Sequence, residues 1–390
     1  MESKNSLIQC EWMVNPDQKW LEKHWRALEA RAEPNLFLSW LWIGTWLDCF
    51  VDNFCVVLAK QDEKIVGLGI VVMKEKKIAG LSYGRQFCLH RTGILAQDQI
   101  WIEYNDYLMD KTVADTVRPL MTACVMSQMN GTDSFEVGAS LDVEFVMNLP
   151  QPAAASPGLA AIEKEVVWES VAFALDFAPL KEQQQTLDSF LSRNARYQIK
   201  RSLNKYRALG EMKITTAVSV AQGLEFFNHA ADYHMSRWGN KSEQSGFANP
   251  GFLHFHHELI RRGLPEGQVA IHHLQAGEQD LGVIYNFHYG HWVLFYLSAL
   301  NYGPGDNHLK PGLVAHYLLI QDAWEKGALG YDFMGGIARY KKTFANRECR
   351  LAIHQFRYPH FTYSVKKAIR ALKRRALKRR ALSESSADCP

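Results

Sequence analysis

The chain has 390 residues, more than one ordinary core takes at about 150 residues per domain, so two or more domains are expected. A hydrophobic content of 47% with 22% charged residues excludes wholesale disorder, and no uncharged apolar run reaches the roughly 18 residues that a membrane-spanning helix needs. The net charge of +3 conceals an asymmetry: residues 366–390 carry nine Lys/Arg and two acids, a net +7, so the remaining 365 residues sum to −4. The body therefore gives no electrostatic reason to expect a nucleic-acid partner, whereas the tail does.

In chain order, Met1–Gln9 is polar and lacks the apolar core of a signal peptide. Leu36, Trp40, Ile43, Leu47 and Phe50 recur at helical spacing and predict an amphipathic helix packed on a core. Phe54–Ala59 and Lys64–Met73 read as strands, with turns at Gln61–Glu63 and Lys74–Lys77. Leu149–Gly158 holds three Pro, one Gly and three Ala in ten residues, and marks a linker.

The same strand grammar then recurs. Gln268–Leu274, Leu281–His288 and Trp292–Leu300 are strands joined by turns, and Leu281–Gly282 repeats Val66–Gly67 at a distance of 215 residues, which suggests two copies of one fold. Leu187–Leu209 is a basic helix, while Val220–Trp238 and Phe252–Arg262 are amphipathic. Lys310–Pro311–Gly312 opens a helix from Leu313 to Lys326 that Gly327 stops, with Pro at its start and Gly past its end, and Gly330–Phe333 is a short strand. The fold class is α+β (mixed α/β), with residues 1–150 and 164–362 as two domains, 151–163 as linker and 363–390 as a basic tail. In the tail, Ala371–Arg375 recurs as Ala376–Arg380; a period of five rotates each Leu by about 140°, so the leucines share no helical face. The tail is an exposed basic arm drawn to an anionic membrane surface, RNA or an acidic partner, or a solvated end with none.

Seven cysteines at 10, 49, 55, 88, 124, 349 and 389 form no CxxC pair, which points to reduced thiols and a cytoplasmic protein. His254, His257 and Glu258 share one helical face, but HExxH is absent, and no metal site is expected.

Three segments carry chemistry. The helix start at Lys310–Pro311–Gly312 offers free N–H groups and a positive dipole end, a seat for a phosphate or only a capped helix. Asp332 precedes Met334–Gly335–Gly336 at a strand end, where a carboxylate orients or deprotonates an amine, or satisfies turn amides. Arg193, Arg196, Lys200 and Arg207 fall on one helical stripe able to meet phosphates, or lie on a solvated face.

The run from Trp292 to Phe344 contains Phe295–Tyr296–Leu297–Ser298, Lys310–Pro311–Gly312, Ala323, Gly327, Tyr331–Gly336 and Tyr340–Phe344. With these residues it resembles the BioF2-like (CelD-like) acetyltransferase domain of the GNAT superfamily and the C-terminal half of Fem-type aminoacyltransferases. Ser192–Arg196, Phe37–Trp40 and Asn105–Asp106–Tyr107 are similar to the same family's flanking patterns. The resemblance implies two tandem GNAT-like domains, each a mixed sheet flanked by helices. It implies transfer of an acyl group from a thioester donor, acetyl-CoA or another acyl-CoA, to an amine acceptor such as an amino sugar or an envelope polysaccharide precursor.

By the same resemblance, Tyr296, Leu297 and Ser298 lend backbone groups to the donor, and Lys310, Pro311, Gly312 and Leu313 hold its phosphates. Lys341 stabilises the acyl oxyanion, Tyr340 protonates the leaving group or packs, and Arg193, Arg196 and Tyr285 meet the acceptor. Where the GNAT pattern has several glycines, this helix start offers Gly312 alone, which keeps an aminoacyl-tRNA donor open. A degenerate pair acting as a non-catalytic binding module is the third reading. A cytoplasmic chain, peripheral at the inner membrane surface through its tail, is the expected location.

Overall fold

The computed structural model describes residues 7–141, 162–303 and 308–358. The Pro/Ala linker falls mostly, and the basic tail wholly, outside these residues. The strands are β1 (Ile8–Val14), β2 (Cys55–Gln61), β3 (Lys64–Ile78), β4 (Leu81–Leu89), β5 (Leu108–Met109), β6 (Ser134–Leu141), β7 (Glu163–Asp176), β8 (Met212–Thr216), β9 (Val269–Ala276), β10 (Gln279–Tyr289), β11 (Trp292–Leu300), β12 (Gly330–Gly335) and β13 (Arg347–Arg357). Helices of six residues or more are α1 (Gln18–Glu29), α2 (Trp40–Phe50), α3 (Ala114–Ser127), α4 (Arg193–Arg207), α5 (Val220–Trp238), α6 (Pro250–Gly263), α7 (Pro311–Glu325) and α8 (Arg339–Phe344). None of the described helices is long and apolar enough to cross a membrane.

The strands form one mixed sheet in the order β1-β2-β3-β4-β6-β13-β7-β12-β11-β10-β9-β8, with β5 paired to β3. The order reads as the same motif twice. An antiparallel meander β1–β4 meets β6 in parallel, and the meander β8–β11 meets β12 in parallel. Between the two copies, β7 and β13 pair antiparallel from Glu163↔Arg357 to Arg347↔Ala174. β7 also pairs with β12, and β13 pairs with β6, so the N-terminal half is completed by a strand from the end of the C-terminal half. Gly67 of β3 and Gly282 of β10 occupy equivalent places, as the internal repeat predicts.

Two expected boundaries move. Lys74–Lys77 is strand rather than turn: these residues alternate in exposure and pair with β4 through Lys77↔Ser82, and the chain reverses at Ala79–Gly80, both at positive φ. The helix expected over 36–50 is broken at Ser39, whose hydroxyl accepts the Trp42 N–H, so Leu36–Leu38 is a 3-10 turn and α2 begins at Trp40. From Trp40 to Leu47, α2 is buried at every residue except the half-buried Leu41, rather than on one face. The cause is tertiary, because α2 packs between α1 and the other half's α6, and Trp42 sits T-shaped on Phe255 at 5.0 Å. Such an aromatic pair contributes roughly 0.5–1.5 kcal/mol beyond the area it buries. One core cluster thus draws on α1, α2, β2 and β3 together with α5, α6 and β9–β11. A second lies under α4 and α7, and a third under α3, so helices cover both faces of the sheet.

Candidate active site

The parallel pairing of β11 with β12 is short: Trp292↔Gly330, Val293↔Tyr331 and Leu294↔Asp332. Beyond it β11 runs on to Leu300 paired to β10 alone, and its other edge, from Phe295, opens into a gap between the diverging strands. At the mouth of this gap Met334 and Gly336 adopt positive φ (58° and 108°), which turns the chain sharply toward α8. Lys341, on α8, holds that turn: its ammonium donates to the carbonyls of Phe333 at 2.7 Å, Gly335 at 2.5 Å and Met334 at 3.4 Å, and it is 6% exposed.

A loop from the N-terminal half completes the cluster. Asn105 is buried and donates to the carbonyls of Leu89 and Gly138, and Asp106 forms a buried ion pair with Arg118 at 2.8 Å. The motif Asn105–Asp106–Tyr107 is therefore a buttress, and the two residues before it are carried across to the other half. The Gly335 N–H donates to Glu103 Oε2 at 2.7 Å, and the Tyr104 hydroxyl donates to Asp332 Oδ1 at 3.1 Å. Asp332 also accepts the Met334 N–H at 2.6 Å. A side chain at Gly335 would place its Cβ 2.9 Å from Glu103 Oε1, so a glycine is what allows this approach.

Burial displaces all three ionisable groups toward neutrality. It pushes the Asp332 carboxyl up to about 6, against the Met334 N–H, the Tyr104 hydroxyl and Lys341, which favour the anion. Glu103 is raised by the same desolvation, opposed by the Gly335 N–H and the Lys341 charge. Lys341 is lowered by desolvation, opposed by Glu103 and then Asp332. Two carboxyls and an ammonium that each change charge near neutral pH, within one gap, can accept and return protons. Tyr104 and Asp332 also line a cleft of about 730 Å³ that reaches Leu36 and Asp106 on one side and Phe173 and Arg347 on the other.

Tyr340 lies beside this cluster, stacked on the buried His316 (centroids 4.6 Å, 11° between planes) and hydrogen-bonded to Ser298 on the open stretch of β11. Burial drops His316 to about 3, so the ring is neutral. Tyr296 turns the other way and donates its hydroxyl to the Ile100 carbonyl at 2.7 Å. Leu297 and Ser298 are partly buried on the same stretch.

The helix α7 starts next to the basic helix. The Lys310 N–H donates to Ser202 Oγ at 3.1 Å and its ammonium to Gln198 at 2.7 Å, while Pro311 and Gly312 are buried and Leu313 partly so. No side chain caps this start. The Tyr302 hydroxyl lies 3.3 Å from where a Cβ on Gly312 would stand, and the Arg237 guanidinium rests on the Tyr302 ring at 4.6 Å.

The structure thus brings together Asp332, Tyr340 and Lys341, with Ser298 beside them. It does not bring Tyr285 there. That ring is wholly buried in the core shared by both halves, packed on His256 and Phe287, because its strand position faces α5 and α6 rather than the gap. Arg196 donates to the carbonyls of Asp188 and Leu191, pinning its own helix start, whereas Arg193 is exposed. On α6, His257 meets Asn228 and Glu258 pairs with Arg261, so the trio His254, His257 and Glu258 does not converge. Glu103, Tyr104 and Arg237 were not legible as site residues. The available signal was an acid in an otherwise aromatic stretch, Trp101–Tyr104, directly before the buttress motif.

Residues 193–342 match the family model described as Acetyltransferase (GNAT) domain. No curated protein matches the chain. Among solved structures, that of FemX is 12% identical, covers 88% of this chain and 96% of its own, and superposes with a TM-score of 0.52. The structure of L-PGS from Bacillus licheniformis is 11% identical, covers 92% and 98%, and gives a TM-score of 0.49. A conserved protein of unknown function from Bacteroides thetaiotaomicron VPI-5482 is 10% identical, covers 89% and 99%, and gives 0.46. At these identities the likeness to FemX is one of fold.

Proposed function

We propose that this chain, a GNAT-type acyltransferase, moves an acyl group from a thioester donor of the acyl-CoA type to the amine of an amino sugar or envelope polysaccharide precursor. The observation that carries the reading is the cluster Glu103–Asp332–Lys341 facing the open edge of β11. Acyl transfer to an amine needs a base for the ammonium or amine proton, donors for the oxyanion and an acid for the leaving group, and all three chemistries occur within this gap.

In this reading Glu103, which a neighbouring cation and an N–H keep partly ionised, takes the proton from the amine as its nitrogen bonds to the acyl carbon. Asp332, fixed by Tyr104 and the Met334 N–H, orients that amine from the wall of the cleft. The backbone of β11 from Tyr296 to Ser298, along the edge that β12 leaves open, supports the acyl oxygen. Tyr340, joined to Ser298, returns a proton to the departing sulfur as the carbon–sulfur bond breaks. Lys341 acts mainly by holding the turn and biasing both carboxyls, since its donors already meet three carbonyls.

The donor's phosphates fit the start of α7, where no side chain occupies the first amides and Lys310 and Arg237 supply charge. Coenzyme A, when bound, supplies the activated thioester. Residues 1–150 and 164–362 remain our proposed division of the chain, with the site at their junction. In the test, acetyl-CoA raises the melting temperature of the wild-type protein, and Lys310→Glu weakens that shift about tenfold in ligand concentration. Failure of acetyl-CoA to stabilise the wild type, together with salt-sensitive binding of aminoacyl-tRNA, overturns the acyl-CoA assignment.

A further inference from the structure

Away from the gap, α5 and the β9–β10 hairpin bring a second set of chemistry-bearing side chains together. His229 Nε2 lies 2.5 Å from Asp280 Oδ2, and His273 Nε2 lies 3.1 Å from Asp280 Oδ1. The three ligand-type atoms all fall within 4.8 Å of one another. The Tyr233 hydroxyl, one helical turn after His229, stands 3.0 Å from Asp280 Oδ2.

The elements that carry these groups are rigid. His273 is held in the β9 ladder, opposite Val283, and its ring packs on Phe226 at 5.2 Å. The Asp280 carboxylate is locked by the Gly282 N–H at 2.8 Å, and His229 and Tyr233 stand on one face of a 19-residue helix. Helices and strands hold a ligand set more closely than loops do. The site is also reachable from solvent, with side chains 38% (His229), 16% (His273) and 23% (Asp280) exposed.

We infer that His229, His273 and Asp280 bind one Zn²⁺ ion per chain, with the Tyr233 hydroxyl beside the fourth position. Two imidazole nitrogens and one carboxylate oxygen suit zinc and disfavour Mg²⁺ or Ca²⁺, which take oxygen ligands. Tetrahedral bonds of about 2.0–2.1 Å separate ligand atoms by about 3.3 Å, so side-chain shifts on the order of 1 Å admit the ion. Each ring binds the ion through Nε2 with its proton on Nδ1, so the Asp280 carboxylate turns from the two imidazoles to the ion. The charge of the ion is partly met by that single carboxylate, and water completes the shell.

The consequence is mechanical. Asp280 accepts a hydrogen bond from Asn301 Nδ2 through its backbone carbonyl at 3.1 Å, and Asn301 follows β11 on the way to Lys310. A bound ion therefore fastens α5 and the hairpin to the segment that leads into the start of α7. This departs from the sequence expectation of no metal, because His229, His273 and Asp280 follow no ligand spacing and converge only through the pairing of α5 with β9 and β10.

The test uses the full chain, purified without a polyhistidine tag and dialysed against EDTA. Zn²⁺ is added, excess is removed by gel filtration, and bound metal is measured by mass spectrometry. The expected result is one equivalent in the wild type, a raised melting temperature on loading, and affinity at least about 100-fold weaker in Asp280→Asn and His273→Gln. A His254→Gln/His257→Gln control on α6 binds as the wild type does. Uptake well below one equivalent in the wild type, or equal binding in the Asp280→Asn chain, overturns the inference. Should the variants fail to fold, X-ray absorption of the Co²⁺-loaded wild type decides. Two imidazole nitrogens in the first shell uphold the site, and their absence overturns it.

Discussion

Replacing Glu103 by Gln tests the cluster most sharply, because it removes a charge while keeping the volume and an acceptor for the Gly335 N–H. Burial raises the Glu103 carboxyl from its ordinary 4.5 to about 7. Between those values the folded chain keeps a proton that the unfolded chain releases, so this residue's contribution to stability falls as pH rises through the window. At about 1.4 kcal/mol for each tenfold change in proton affinity, the loss by pH 7.5 amounts to about 3 kcal/mol. Lys341 is protonated in both states below its lowered value of about 8, so it adds no slope there.

Glu103→Gln should therefore be more stable than the wild type at pH 7.5, by up to about 3 kcal/mol, and equal to it near pH 4.5. Its turnover should fall by about 10²–10⁴-fold, the usual range for loss of a general base, with the donor KM unchanged. Urea denaturation at several pH values measures the first effect. Thiol release from acetyl-CoA with a panel of primary amines and amino sugars measures the second. A variant that keeps activity within about threefold of wild type, or whose stability tracks the wild type at every pH, refutes the role assigned to Glu103.

Turnover should follow a bell in pH, rising through about 6 to about 7 as Asp332 and Glu103 ionise and falling above about 8 as Lys341 loses its proton; steady-state rates across that range check it, and the apparent values belong to the cluster. Gly335→Ala should displace the Glu103 carboxylate, since the new methyl stands 2.9 Å from it, lowering turnover at least about tenfold while leaving donor-induced thermal stabilisation intact. Arg118→Met should cost about 3–5 kcal/mol in urea, because it strands the buried Asp106 carboxylate, and adding Asp106→Leu should restore part of the loss.

Much of the framework was legible in the residue order alone. Apolar runs bounded by turn residues such as Lys64–Met73 and Trp292–Leu300, the Pro-start and Gly-stop of α7, and the Val66–Gly67/Leu281–Gly282 repeat rest on contacts between near neighbours, and near neighbours are what a sequence displays. Asp332, Tyr340 and Lys341 lie within ten residues, so a single strand, turn and helix deliver all three. Tyr285 was misplaced because alternation says that a strand side chain faces one layer, not which layer holds the core and which the gap. Glu103 and Tyr104 lie more than 220 residues before their partners Gly335 and Asp332, and only the continuous sheet carries their loop across. The pairing of β13 with β6 of the N-terminal half has the same origin. Long-range pairing is selected by the burial it achieves, and the strand sequences record that they will be buried but not against what.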